Sequence, residues 1–161
     1  MCNINLTSAQ KAKLTKANRL ISSVMEEAGV QYLSSTPFSM PIQVFDYLRT
    51  LIGFEEKEVF ATMFLDNQNR LIKGKVMFMG TINCTTIHSR EIVKEALLCN
   101  AAAIIISHNH PSGTLIPSQA DINITKKILS ACQLVDIQLL DHLIVSATDY
   151  HSMRDSFEME A

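Results

Sequence analysis

None of the four cysteines, Cys2, Cys84, Cys99 and Cys132, forms a CxxC pair with another. Disulfides can be drawn on paper between them, but buried free thiols in a reducing compartment are the expectation. The opening MCNINLTSAQKAK has no apolar core of the kind a secretory signal needs. No uncharged run approaches the ~18 residues of a membrane-spanning helix. A cytoplasmic protein with no membrane partner is therefore expected. There is also no excess of basic charge: 14 Lys and Arg stand against 16 Asp and Glu, a formal net charge of −2. Nothing general draws such a chain to phosphate backbones, so a nucleic-acid partner would need a local patch. Internal repeats and low-complexity tracts are missing too. What remains is 161 residues, 47% hydrophobic and 19% charged. That composition suits a compact globular domain with a short appendage, large enough to need no staples.

Residues 8–28 place Leu14, Ala17, Ile21, Val24, Met25 and Ala28 at helical spacing, with Ser8 to cap the start and Gly29 to end it. Ser34 to Pro41 reads as a linker, which sets residues 1–40 apart as a helical appendage from a domain over 41–161. A helix over about 41–52, stopped by Gly53, carries Val44, Phe45, Leu48 and Leu51 on one side. Glu58 to Asp66 and Arg70 to Phe78 read as a hairpin around Asn67-Gln68-Asn69. A helix is expected over Ser89 to Asn100, capped by Ser89, and a doubly buried strand over Ala101 to Ser107. A helix over Ser118 to Leu134 follows, then strands over Val135 to Leu140 and His142 to Ser146. Strands alternating with helices predict an α/β fold, an α-β-α sandwich around a mixed central sheet preceded by N-terminal helices.

The chemistry concentrates in Ser107-His108-Asn109-His110-Pro111-Ser112-Gly113 and Pro117-Ser118-Gln119-Ala120-Asp121. Extended backbone points residues two apart to the same side, so His108 and His110 can meet one ion. Asp121 adds a carboxylate. Two imidazoles, one carboxylate and no thiolate make the ligand inventory of a catalytic zinc site with one position open to water. The competing reading for the histidines is a pair of surface loop residues. For Ser118-x-x-Asp121 it is a helix capping box, and Ser118 can both cap the helix and offer its hydroxyl to an oxyanion. His142 reads as a satisfied core residue or a partner for a ligand imidazole rather than as a further ligand, and His88 and His151 as surface residues. Asn109 and Thr125 read as braces for the loop and the helix.

Glu58, His108-Asn109-His110-Pro111, Ser118 and Asp121 together resemble the JAMM motif of the JAB/MPN metalloprotease superfamily: a Glu, HxHP, a Ser, and an Asp ten residues beyond the second His. Residues 111–120 supply those ten. With His88-Ser89-Arg90-Glu91 upstream and Leu140-Asp141-His142-Leu143-Ile144-Val145 downstream, the wording resembles the RadC-like branch from about Pro41 to Ser152. The resemblance implies a cytidine-deaminase-like sandwich and one Zn²⁺ per chain on His108, His110 and Asp121, with water as fourth ligand. It implies Glu58 as general base and Ser118 as oxyanion donor. Glu58 is chosen over Glu55 and Glu56 because it directly precedes the apolar run Val59 to Asp66; a solvated strand-start residue is its competing reading. Glu91 and Glu95 read as exposed helix positions.

The implied function is a zinc-dependent hydrolase acting on a peptide or isopeptide-like amide in a peptide or protein substrate. Two alternatives stand beside it: a DNA-repair-associated accessory protein, and a metal-binding interaction module without turnover. Neither the charge balance nor a helix–hairpin–helix module in residues 1–40 supports the first. A zinc deaminase is a distant alternative that lacks its PCxxC signature.

Overall fold

The computed structural model describes residues 40–80 and 87–156, residues 37, 38 and 159, and scattered positions from 7 to 20. Of the helix expected over 8–28, Ala9, Gln10, Ala12, Lys13, Lys16, Ala17 and Leu20 are described, and they are helical and exposed. The rest of that helix and most of the 34–41 linker lie outside the described residues.

The expected sandwich is present. Helix α1 (Pro41–Ile52) leads into strands β1 (Val59–Leu65) and β2 (Leu71–Met79). Helix α2 (Ser89–Leu98), strand β3 (Ala103–Asn109), helix α3 (Gln119–Gln133), and strands β4 (Gln138–Val145) and β5 (Tyr150–Ser152) follow. The sheet order is β2-β1-β3-β4-β5. Only the β3–β4 pair is parallel; the other neighbours run antiparallel.

The two faces of the sheet are sorted by residue parity. Along β1, Val59, Ala61, Met63 and Leu65 pack beneath α1 with Val44, Phe45, Leu48 and Ile52. Phe60 and Phe64 turn the other way, toward Ile92 and Ala96 of α2 and Ile128 and Cys132 of α3. A strand covered on both faces has no solvent side, which is why β1 and β3 read as continuous apolar runs. Gly74 of β2 lies under α1, where any Cβ would collide with the Tyr47 ring. Helix α1 is thus a full layer of the sandwich. Leu48 is fully buried in it, so Leu48→Ala is expected to cost about 2–5 kcal/mol. Urea denaturation measures this; a loss near zero would make α1 a dispensable attachment.

Three sequence expectations need correction. The N-cap of α2 is His88 rather than Ser89, with no side-chain cap bond. Strand β3 extends through Asn109, so His108 belongs to the strand and not to the loop after it. The two strands expected around Asp141 are one strand, β4, and β5 was not foreseen. Within β4 the register jumps from Ile104↔Leu139 to Ile105↔Asp141, which makes Leu140 a bulge residue. One extra residue reverses the facing of everything that follows. Leu143 and Val145 therefore pack on the α1 side, and His142 points to the α2–α3 side.

Candidate metal centre

Strand alternation delivers the first ligand. Ala103 and Ile105 of β3 face α1, while Ile104 and Ile106 face α2 and α3. His108 continues the second series and is 1% exposed. His110 follows the strand at a turn closed by a Gly113 N–H bond to the His110 carbonyl (2.9 Å). Gly113 sits at φ +79, a conformation that suits glycine. The turn brings the Thr114 carbonyl to 2.8 Å from His110 Nδ1.

The third side chain comes from the start of α3. Ser118 is the N-cap, and its hydroxyl accepts from the Asp121 N–H at 3.2 Å. Asp121 Oδ2 accepts the Ser118 N–H at 2.7 Å and the Ser118 hydroxyl at 2.6 Å. The capping reading and the ligand reading are therefore both served. Oδ2 holds the cap and lies 3.7 Å from His110 Nε2, and Oδ1 faces His108 Nε2 at 3.2 Å. The Ser118 hydroxyl hydrogen points at Asp121, so it must rotate before it can serve an oxyanion.

His108 Nε2 and His110 Nε2 are 2.9 Å apart, and one donor atom from each of the two histidines and Asp121 lies within 4.8 Å of the others. Hydrogen positions follow from the surrounding acceptors. The Thr114 carbonyl can only accept, so His110 carries its hydrogen on Nδ1. Thr125 Oγ1 is 2.6 Å from the Asp121 carbonyl and must donate to it. It then accepts from His142 Nδ1. His142 Nε2, left bare, accepts from His108 Nδ1 at 2.8 Å. In their neutral forms both candidate ligand histidines thus turn an unprotonated Nε2 toward a carboxylate. Three electron-pair donors converge with no hydrogen of their own between them, which is the arrangement that fits a zinc ion.

Without a metal, protons fill that role. The hydrogen bond to Asp121 raises the His110 pKa above 6.5 against burial, helped by the Thr114 carbonyl and the charges of Asp121 and Glu58. Burial by itself would raise the Asp121 carboxyl, but hydrogen bonds from His108 and His110 outweigh it and hold it well below the usual range. His142 is fully buried, and desolvation, then the neighbouring His108, pushes its pKa well below 6.5. The signs give a testable profile. Keeping His142 neutral costs stability as pH falls below about 6.5, where the unfolded chain would protonate it. The His110 proton contributes stability that is complete below that pH and is lost as pH rises through its raised value. Metal-free protein is expected to be most stable near pH 6.5, with zinc removing the loss on the alkaline side only. Thermal denaturation across pH, with and without zinc, measures both limbs.

Glu58 enters from the neighbouring strand. Phe60 pairs with His108; Glu58 lies just ahead of β1 and His110 just past the end of β3, at the same end of this antiparallel pair. Its carboxylate contributes to raising the His110 pKa. The segment before it is pinned by Asn109, which faces the opposite side of β3. Asn109 Oδ1 accepts the Val59 N–H at 2.7 Å, and Nδ2 donates to the Glu55 and Lys57 carbonyls, each at 3.0 Å. Among the other acids, Glu95 is not the exposed residue expected. It is half-buried and bridges Lys73 and Lys75 of β2 at 3.0 and 2.9 Å. Glu91 is partly covered and pairs with Arg90 at 3.2 Å.

Phe60 was not singled out in the sequence. Its ring lies parallel to His108 at 6.4 Å and edge-on to His142 at 5.8 Å, an apolar wall beside the ligands. Nothing local marks it, since only the β1–β3 register brings it there. His88 is exposed as expected, whereas His151 is partly buried on β5 beside Ser156 Oγ at 3.1 Å. Cys132 is a buried free thiol and Cys99 a partly buried one; Cys2 and Cys84 lie outside the described residues.

The sequence profile of the RadC-like JAB domain matches residues 38–159. The chain belongs to that family. A UPF0758 protein of Haemophilus ducreyi is 58% identical over 109 residues, 68% of this chain and 49% of the relative. One from Pasteurella multocida is 53% identical over 110 residues, again 68% and 49%. One from Haemophilus influenzae is 50% identical over 127 residues, 78% and 58%. The chain spans about half the length of the curated relatives it matches. The JAB superfamily includes zinc metalloproteases, and this RadC-like member carries a His-His-Asp cluster of the matching composition. No helix among the described residues is long and apolar enough to cross a membrane.

Proposed function

We propose that this protein is a zinc-dependent hydrolase of JAMM type that cleaves an amide bond in a peptide or protein. The observation that carries this reading is the convergence of donor atoms from His108, His110 and Asp121 within 4.8 Å of one another, with the charge of Glu58 acting on His110. His108, His110 and Asp121 would hold the ion. Zinc, when bound, supplies Lewis acidity and brings the pKa of water to about 7. Glu58 takes a proton from the attacking water and returns it to the leaving nitrogen, so that water is added across the C–N bond to give an acid and an amine. The Ser118 hydroxyl, turned away from Asp121 Oδ2, donates to the carbonyl oxygen as negative charge builds there. Asn109 contributes by fixing the backbone that presents Glu58. A cleft of about 930 Å³, lined in part by Gly53, Glu55, Lys57, Asn109, His110 and Ser146, touches the candidate centre at His110. The first test is metal analysis of purified protein, where about one zinc per chain is expected. A zinc-restored screen of peptide and isopeptide amides then reads the chemistry.

A further inference from the structure

We propose that His142 and Thr125 are positioning residues of the metal centre, a two-residue chain that keeps His108 Nε2 bare and aimed at the ion. The inference rests on the zinc reading of the site and adds residues that the motif does not contain. The chain begins on one ligand and ends on another. His108 Nδ1 donates to His142 Nε2, His142 Nδ1 donates to Thr125 Oγ1, and Thr125 Oγ1 donates to the backbone carbonyl of Asp121. Each link forces the next. A hydroxyl that donates to a carbonyl has only lone pairs left for the ring. A ring that donates from Nδ1 has only a lone pair left at Nε2. The single hydrogen on neutral His108 is thereby drawn to Nδ1, on the side away from the ligands.

Three features show that the chain is built rather than incidental. His142 and Thr125 are both fully buried, so water cannot substitute for a missing link. Thr125 lies one helical turn beyond Asp121, a spacing at which a threonine hydroxyl reaches the carbonyl along the helix. The Leu140 bulge is what turns His142 to this face, since an unbroken alternation would direct it toward α1. The ring of contacts also fixes where His108 lies relative to Asp121. Partners of this kind on the far nitrogen of a ligand histidine typically hold 10–100-fold in metal affinity.

The test combines the native protein with two variants. In metal-free native protein, long-range ¹H–¹⁵N spectra above pH 7 are expected to show His142 neutral with its hydrogen on Nδ1. Thr125→Val keeps the side chain's shape and removes the hydroxyl. It is expected to bind zinc about 10–100-fold more weakly by chelator competition, while Thr125→Ser restores most of the affinity. A His142 hydrogen on Nε2, or native zinc affinity in Thr125→Val, would overturn the proposal. Absence of zinc binding in native protein would overturn the hydrolase reading instead, and the His142 spectrum would still decide the chain.

Discussion

Alanine at both His108 and His110 is expected to reduce bound zinc from about one per chain to none. Removing both imidazoles deletes two of the three donor atoms that lie within 4.8 Å of one another. A single carboxylate, with one oxygen already committed to Ser118, offers too little to hold the ion. The double variant also removes the groups that keep Asp121 ionised, so its carboxyl is expected to move back toward the ordinary range. Asp121→Ala should abolish binding as well. It is a harsher change, because it also breaks the α3 capping box, in which Asp121 is the residue that reaches back to Ser118. Metal analysis after dialysis, with circular dichroism to confirm the fold, reads both effects. Stoichiometric zinc in the folded double variant would sink the assignment of these residues as ligands.

Glu58→Gln is expected to keep zinc and lose about 10²–10⁴ of the hydrolytic rate, the usual worth of a positioned general base. Glutamine preserves the shape of the side chain and removes only its ability to take a proton. Glu58 is exposed at the start of β1, so folding should be little affected. The same substitution at Glu55 or Glu56 is the control. Those residues lie further from the strand, and of the three only Glu58 contributes its charge to His110, so their variants should retain most activity. If Glu55→Gln or Glu56→Gln proves to be the inactive variant, Glu58 is not the base. Hydrolysis of a substrate from the amide screen, with zinc content measured on the same samples, separates loss of the base from loss of the metal.

Much of this site was legible in the chain because its parts lie close together there. His108 and His110 are two apart on extended backbone, and Ser118 and Asp121 are three apart at a helix start. Spacings that short are set by strand and helix geometry alone. The sandwich was legible for a similar reason: fully apolar β1 and β3 alternate with amphipathic helices, and burial on both faces leaves few other arrangements. The Glu58 assignment was different. It came from resemblance, and no local feature separates it from Glu55 and Glu56.

The break expected at Asp141 shows where local reading stopped. A charged residue inside an apolar run looks like the end of a strand. In the fold it marks a bulge instead, with Asp141 accepting from the His142 N–H at 2.7 Å and from Ser152 Oγ at 2.7 Å. The sequence by itself determined the candidate ligands, the cap that holds Asp121, and the layers of the domain, since each depends on spacing and periodicity along short stretches of chain. Only the tertiary structure decided that the Glu58 charge acts on His110, that Asn109 holds the backbone around it, and that His142 reaches His108. Those depend on the register between strands and on one extra residue in β4, and cross-strand register is set by the partner strand rather than by neighbours in the chain.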